Sequence, residues 1–208
     1  MMMCMSTQTK AAGASGTSRG SMIDLAYIAV FAALIIIFAF VSIPVGAAGV
    51  PIVLQNAVIV LAGLVLGGKR GFLAAALFLA LGLVGLPVLA GGRSALAALG
   101  GPTIGYLVGY LLSPAIAGAI AYRARPRRRG EQIAWFTLAA VVGLLVQYAC
   151  GILGLMWRSG LSLVEATVSQ APFLLPDAAK FAVMVIIALA VHAAFPDLLS
   201  RARRRDRK

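Results

Sequence analysis

An aspartate and a lysine lie three residues apart near the carboxyl-terminal end of the chain, in Pro176-Asp-Ala-Ala-Lys180. Side chains at this spacing share one helix face, so Asp177 and Lys180 can pair or face a cavity together. The residues that follow are almost all apolar, and ionisable groups in a membrane-spanning helix usually mark a functional site. The alternative is an interfacial first turn, where the helix dipole stabilises Asp177 and Lys180 reaches outward to water. We favour the functional interpretation.

Two other polar positions are candidates for the same site. Arg93 is the only charged residue between Arg70 and Arg123, and it follows a pair of glycines. An arginine can hold a carboxylate with two parallel hydrogen bonds, although a solvated loop arginine is the alternative. Gln55 and Asn56 begin an apolar segment, and their amides need partners once buried. A ligand and a neighbouring helix are equally good partners for these two amides.

The sequence contains no pattern typical of catalysis or of metal binding. His192 is the only histidine, and Cys4 and Cys150 have no ligand-like spacing to it. A phosphate-loop pattern begins at Gly63, but Arg70 stands where Ser or Thr should bind magnesium. We therefore predict neither an enzyme nor a metal site.

The composition decides which elements must position these residues. Apolar residues make up 62% of the 208 and charged residues only 12%, against roughly half and a quarter in soluble domains. No charge occurs between Asp24 and Lys69, a length that can cross a bilayer twice as helix. We predict an all-α integral membrane protein with six transmembrane helices, at about 23–43, 52–67, 72–88, 104–122, 133–156 and 177–195. Residues 1–22 are predicted to be a disordered tail and residues 196–208 a basic tail, flanking a single domain at 23–195.

The positive charges predict how the helices are oriented. Of 18 Lys and Arg residues, 15 lie in the two tails, at Lys69-Arg70 and in the loop 123–129, all on one side. Arg93 and Arg158 are on the other side, and Lys180 lies within a span. Because cytoplasmic loops are enriched in Lys and Arg, both termini are predicted to be cytoplasmic, in the cell membrane. This distribution explains the net charge of +12 without a nucleic-acid partner.

The first predicted helix has small residues at a spacing that permits close packing. Ala29 and Ala33 form an A-x-x-x-A face, which lets another helix approach closely in lipid. The partner is either a second protein or a helix of the same chain, and periodicity does not distinguish these two possibilities.

Several motifs together resemble one family, BioY, the biotin-specific substrate-binding (S) component of energy-coupling factor (ECF) transporters. The resemblance covers about residues 23–195, and its most specific part is the segment between the third and fourth spans. The matching motifs are Ile43-Pro, Pro51-Ile-Val-Leu-Gln55, Leu61-Ala-Gly-Leu-Val-Leu-Gly67, Gly82-Leu-Val-Gly-Leu-Pro-Val-Leu-Ala-Gly-Gly92, Gly101-Pro-Thr103, Gly105-Tyr-Leu-Val-Gly109 and the pair Asp177/Lys180. The chain departs from the family after Gly92, where Arg93-Ser-Ala-Leu replaces further glycines.

The resemblance implies a six-helix S component that captures biotin from outside the cell. It also implies three partner subunits, namely a transmembrane coupling protein and two cytoplasmic ATP-binding-cassette ATPases. The coupling protein would contact the face formed by Ala29 and Ala33. Biotin would be the transported ligand, and no resident cofactor is implied.

The candidate residues suit the chemistry of biotin, which has a ureido group, a carboxylate and a compact apolar ring. Asp177 can accept from the ureido N–H groups, while Lys180 can donate to the ureido carbonyl or to the carboxylate. Arg93 and Gln55 are further polar groups able to orient the ligand, and Tyr106 or Tyr148 could cover its ring. Which basic residue binds the carboxylate is left open by the sequence.

Two alternatives to biotin binding follow from the same residues. The first is an S component for another small vitamin. The second is a membrane scaffold without a ligand, in which Asp177 and Lys180 only join helices.

Overall fold

Helices make up nearly all of the regular structure in the computed structural model, which describes residues 15–43, 52–126, 128–196 and 198–199. In chain order they are α1 (Ser15–Ile37), α2 (Gln55–Leu66), α3 (Gly68–Leu83), α4 (Ala95–Leu99), α5 (Ile104–Ala121), α6 (Arg129–Ser159), α7 (Leu163–Val168) and α8 (Ala171–Ala194). Two short strands, β1 (Ser42–Ile43) and β2 (Ile52–Val53), pair antiparallel between α1 and α2. The predicted all-helical architecture is confirmed, and the β1–β2 pair is a small addition to it.

Six of the helices, α1, α2, α3, α5, α6 and α8, coincide with the six apolar segments of the sequence. Among the described residues, three helical segments are both long and apolar enough to cross a membrane: Ile104–Ala121, Arg129–Ser159 and Leu163–Ala194. Ser21–Ile37 and Gln55–Leu66 are apolar but shorter. The count of six spans therefore stays a prediction.

Four helices begin earlier than the sequence predicted, α3 and α6 by about four residues and α1 and α8 by more. Helix α1 begins at Ser15, inside the segment 1–22 that was expected to be disordered, since lengthening an existing helix by proline-free residues costs little. Helix α8 begins at Ala171 rather than near 177, because Pro172 in the first turn needs no N–H partner. The predicted break at 44–51, the tail residues 1–14 and the basic tail from residue 200 lie outside the described residues.

Helix α2 is the central element of the bundle. All twelve of its residues, from Gln55 to Leu66, are buried. It packs against α1, α3, α5, α6 and α8. A helix of this length spans only about 18 Å, so its ends stay inside the bundle and its first residues reach the interior.

Glycines allow α5 and α6, the most extensive helix pair, to touch through their backbones. A side chain at Gly105 would overlap the main-chain oxygen of Cys150, and a Cβ at Gly109 would lie 3.0 Å from the Cα of Gln147. Helices in lipid associate through close packing of this kind, because the hydrophobic effect does not drive one apolar helix against another there.

Substitution of Gly105 by alanine is expected to lower the thermal unfolding midpoint in detergent by roughly 5–10 °C, because α5 and α6 must separate. Gly130→Ala is the matched control, since a Cβ there meets nothing within 4 Å. Its midpoint should match the wild type, and equal midpoints for both variants would contradict the close packing. Differential scanning fluorimetry measures both.

The end of the bundle that carries Lys69, Arg70 and Arg123 is here called the basic end. There the last carbonyls of α2 are held by side chains from other helices. The Tyr122 hydroxyl donates to the main-chain oxygen of Val65 at 2.6 Å, and Nε2 of His192 lies 2.9 Å from that of Leu64. These contacts hold the basic end of α2 in place. The other end of the helix, which begins at Gln55, can then contribute side chains to a binding site.

Candidate ligand-binding cavity

At the end of the bundle opposite the basic end, the helices surround a cavity with about 670 Å³ of atom-free space, its open mouth included. The structure brings to this one cavity all six residues that the sequence predicted to bind a ligand: Gln55, Arg93, Tyr106, Tyr148, Asp177 and Lys180. They come from α2, α5, α6, α8 and the α3–α4 loop, which are distant in sequence.

Asp177 and Lys180 form an ion pair on α8, one turn apart. Asp177 is only 2% exposed and lies six residues beyond the start of the helix at Ala171. The alternative of an interfacial first turn with an outward lysine is therefore wrong. The Lys180 ammonium instead donates to the main-chain oxygen of Val53 at 2.7 Å, which ties α8 to strand β2.

The carboxylate of Asp177 is bonded through both of its oxygens. Oδ1 receives Lys180 and the amide nitrogen of Asn56, the latter at 3.3 Å, and Oδ2 accepts from the Tyr148 hydroxyl at 2.7 Å. The amide oxygen of Asn56 accepts from Lys180 at 3.3 Å. Asn56 therefore contacts both members of the ion pair and holds them in a fixed relation.

Gln55 joins the start of α2 to the segment after α3. Its amide nitrogen donates to the main-chain oxygen of Val88 at 2.9 Å, and the residue is only 1% exposed. Both amides left open by the sequence thus have protein partners, Gln55 in a loop and Asn56 on α8, while both also line the cavity.

Arg93 lies exposed at the cavity mouth, at the end of a tight turn. Gly91 and Gly92 have φ values of 74° and 70°, a left-handed conformation that favours glycine. The N–H of Leu89 donates to the Arg93 oxygen at 2.9 Å and closes the turn. One guanidinium nitrogen reaches the Thr103 hydroxyl at 3.5 Å, which is a long contact, so the guanidinium has donors available for a ligand.

Other polar residues line the cavity that the sequence analysis did not single out: Thr103, Tyr110, Gln147 and Gln170. Gln147 lies beneath the ion pair and is 2% exposed. Its amide nitrogen donates to the Asn56 main-chain oxygen at 3.1 Å and to the Ser113 hydroxyl at 3.0 Å. An uncharged amide in the middle of an apolar span was the signal that could have identified it.

The two tyrosines predicted to cover a ligand ring have different partners. The Tyr106 hydroxyl donates to Oε1 of Gln170 at 2.6 Å, whereas that of Tyr148 bonds to Asp177. Their rings and the side chains of Leu107 and Phe173 supply apolar surface to the cavity. The cavity thus combines one carboxylate, two cations and several amides with apolar walls, which suits a small ligand having both an acidic and an amide-like group.

The residues predicted to contact a partner protein lie elsewhere. Ala29 and Ala33 are exposed on α1, and we call the surface around them the α1 face. The helix buries its other side, through Ala32 (2% exposed) and Ile35 (fully buried), against the bundle. Packing of Ala29 and Ala33 within the chain, the alternative left open by the sequence, is therefore wrong.

Comparisons with known proteins agree with one another. The model of the BioY family matches residues 7–197. The chain is 41% identical over 186 residues to the biotin transporter BioY of Rhodobacter capsulatus, covering 85% of this chain and 96% of that protein. It is 35% identical over 183 residues to the biotin transporter BioY of Rhizobium etli, covering 86% and 98% of the two.

A solved structure is similar as well. The crystal structure of the S component for biotin from an ECF-type ABC transporter superposes with a TM-score of 0.77 and 31% identity, covering 86% of this chain and 95% of that one. The match spans most of this chain and nearly the whole of the other. With the family model and the relatives, it establishes that this chain belongs to the BioY family.

Proposed function

We propose that this chain is the biotin-binding S component of an ECF-type uptake transporter, capturing biotin outside the cell and delivering it through an ATP-driven coupling module. The observation that carries the proposal is the cavity, where the Asp177–Lys180 pair and four other predicted residues meet. Relatives named biotin transporters, and a solved S component for biotin, support it.

The ureido ring is expected to bind beside the ion pair. Oδ1 of Asp177 already receives two donors, whereas Oδ2 receives the Tyr148 hydroxyl and can accept a further hydrogen bond, so the carboxylate can receive a ureido N–H group there. The Lys180 ammonium bonds to Asp177, Asn56 and Val53, so it donates to the ureido carbonyl by exchanging one of these three partners for the ligand. Charge-assisted hydrogen bonds of this kind are about twice as strong as neutral ones.

The carboxylate of biotin is expected to bind Arg93. The Lys180 side chain is only 11% exposed and already has three oxygen partners, whereas Arg93 lies at the open mouth with donors available. A ligand that enters ring first leaves its acidic chain at the mouth, where a guanidinium can hold it with two hydrogen bonds.

A comparison of biotin with its methyl ester tests this assignment. Arg93→Ala is expected to weaken biotin binding by roughly tenfold to a hundredfold, the effect of losing a hydrogen bond to a charged group. The same change should barely alter the affinity for the methyl ester, which lacks the carboxylate charge. Arg158→Ala, at the same end but outside the cavity lining, is the control. Equal losses for the two ligands would reject Arg93 as the carboxylate partner.

The proposal also places the protein in the membrane. The basic end faces the cytoplasm, the cavity opens outward, and six helices span the cell membrane with both termini inside. The energising partners are a transmembrane coupling protein and two ABC-type ATPases, and the coupling protein docks on the α1 face. No resident cofactor is required, because biotin is the cargo.

Binding of biotin to the purified chain tests the proposed function directly. We expect isothermal titration to give tight one-to-one binding, and biotin to raise the unfolding midpoint as a ligand specific to the folded state must. A panel of other small vitamins serves as the comparison. Displacement of biotin by another vitamin would identify a different S component, and absence of any stabilising ligand would indicate a scaffold.

A further inference from the structure

An ion pair at the basic end joins the first helix to the third. The Arg70 guanidinium lies 2.7 Å from Oδ1 of Asp24, and the two side chains are only 16% and 21% exposed. Asp24 is the only acidic residue in the first 130 residues of the chain. Asp24 lies at the end of the bundle opposite the cavity, so it does not contact a ligand bound there.

Arg70 projects from a part of the bundle that cannot easily move. It lies in the first turn of α3, between two glycines that pack against other helices. A Cβ at Gly68 would lie 2.6 Å from the main-chain oxygen of Ala115 on α5, and one at Gly71 would lie 2.8 Å from the Cα of Gly63 on α2. Arg70 is thus held on a platform built by α2, α3 and α5.

The position of Arg70 at the start of the helix also favours a carboxylate nearby. The first turn of α3 contains two cations, Lys69 and Arg70, and no acid. Cations at a helix N-terminus are disfavoured by the helix dipole, and a carboxylate there is favoured. Asp24 supplies that carboxylate from α1, so it offsets the unfavourable position of Arg70 by direct attraction, and the dipole favours the aspartate itself.

Apart from the ion pair, the described part of α1 is buried against the bundle through small and apolar side chains. It lies at the edge of the bundle and packs mainly on α3 and α2, and its buried residues there are Ala32 and Ile35. In lipid, apolar contacts alone favour one helix rotation over another only weakly, whereas an interhelical polar pair selects one. Ala29 follows Asp24 by five residues, about 7–8 Å along the helix, so a rotation at Asp24 turns the α1 face with it.

We infer that the Asp24–Arg70 ion pair is a positioning device for partner docking: it holds α1 in the rotation that presents the α1 face to the coupling protein. The inference rests on the proposed function, because the docking partner is the coupling protein of that proposal. The positive-inside rule does not distinguish Lys69 from Arg70, but the ion pair with Asp24 gives them different roles. Arg70 orients a helix, whereas exposed Lys69 does not.

The test uses the full chain with its coupling protein and ATPases. Asp24→Asn and Arg70→Gln are expected to reduce co-purification of the coupling protein, and ATP-driven biotin uptake, by roughly tenfold, the size of an interhelical polar interaction in lipid. Biotin affinity of the isolated subunit should stay within about twofold, since the cavity lies at the opposite end. Lys69→Gln is the matched control and should behave as the wild type.

The charge exchange Asp24→Arg with Arg70→Asp provides the decisive comparison. It restores an ion pair at the same place, so co-purification and uptake should recover to within about threefold of the wild type. Wild-type uptake in either single variant would overturn the inference, as would an exchange variant no better than the single ones. Parallel loss of biotin binding in the single variants would overturn it too, by showing that the pair supports the whole fold. A wild-type chain that neither binds biotin nor co-purifies with the module would instead refute the proposed function, and this inference with it.

Discussion

Asp177→Ala is expected to weaken biotin binding by at least a hundredfold, and Lys180→Ala to do the same. Removal of one member of a buried ion pair leaves the other charge without its main partner, at a cost of about 3–5 kcal/mol. Without Asp177, the Tyr148 hydroxyl and the Asn56 amide nitrogen also lose their acceptor, so the polar floor of the cavity rearranges. Titration of purified variants with biotin measures the loss.

The unfolding temperatures of the variants distinguish a role of the Asp177–Lys180 pair in binding biotin from a role in folding. Each single variant is expected to unfold at a lower temperature than the wild type, because an uncompensated charge remains buried. The double variant Asp177→Ala/Lys180→Ala removes both charges and should recover part of that stability while still failing to bind biotin. Glu131→Gln, an acid at the basic end, serves as the control for loss of a carboxylate. Normal biotin affinity in both single variants would refute the assignment of the pair to the site.

The cavity residues could be predicted because polar groups are so rare in this sequence. In a chain that is 62% apolar, every ionisable group within a span needs a reason to be there. Asp177 and Lys180 met that condition, and their three-residue spacing places them on the same face of α8. Arg93 was found in the same way, as an isolated charge beside glycines. Rarity and spacing were therefore sufficient to predict the charged residues that line the cavity.

The contacts between these residues could not be predicted. Asn56 bridges Asp177 and Lys180 only because α2 and α8 pack side by side, a pairing that no local pattern encodes. Gln147 lies three helical turns from the end of α6, and its bonds to Asn56 and Ser113 depend on the packing of α6 against α2 and α5. Long-range helix packing in lipid is set by shape and by a few polar contacts, so sequence periodicity leaves it open.

Helix ends were the least predictable part of the fold. Pro176 was expected to precede the last helix, yet α8 begins at Ala171 and passes through it. Pro176 removes one hydrogen bond inside α8 and its ring crowds the carbonyl four residues earlier, a cost that transmembrane helices tolerate. The early start matters for the site, because it places Asp177 in the helix interior, buried, rather than in an exposed first turn.

A bulky residue on the α1 face is expected to stop transport while sparing biotin binding. Ala29→Trp and Ala33→Trp replace a methyl group with an indole on an exposed small-residue face, so the coupling protein can no longer approach closely. ATP-driven uptake should fall at least tenfold, the result of losing about 1.4 kcal/mol or more of docking energy. Biotin affinity should remain within about twofold, because neither residue lines the cavity.

Ala134→Trp is the matched control, an exposed alanine near the basic end of α6 with the same change in size. If the α1 face is specific for docking, uptake by this variant should equal that of the wild type. If Ala134→Trp and Ala29→Trp lose uptake equally, any added bulk at the lipid surface impairs transport. The α1 face would then not be specific for docking. Loss of biotin binding in Ala29→Trp would show that α1 rotates to pack this face inward. Uptake by Ala29→Trp, uptake by Ala134→Trp and the biotin affinity of Ala29→Trp therefore determine together whether docking depends on the α1 face. This is the face whose orientation we attribute to packing on α3 and to the Asp24–Arg70 pair.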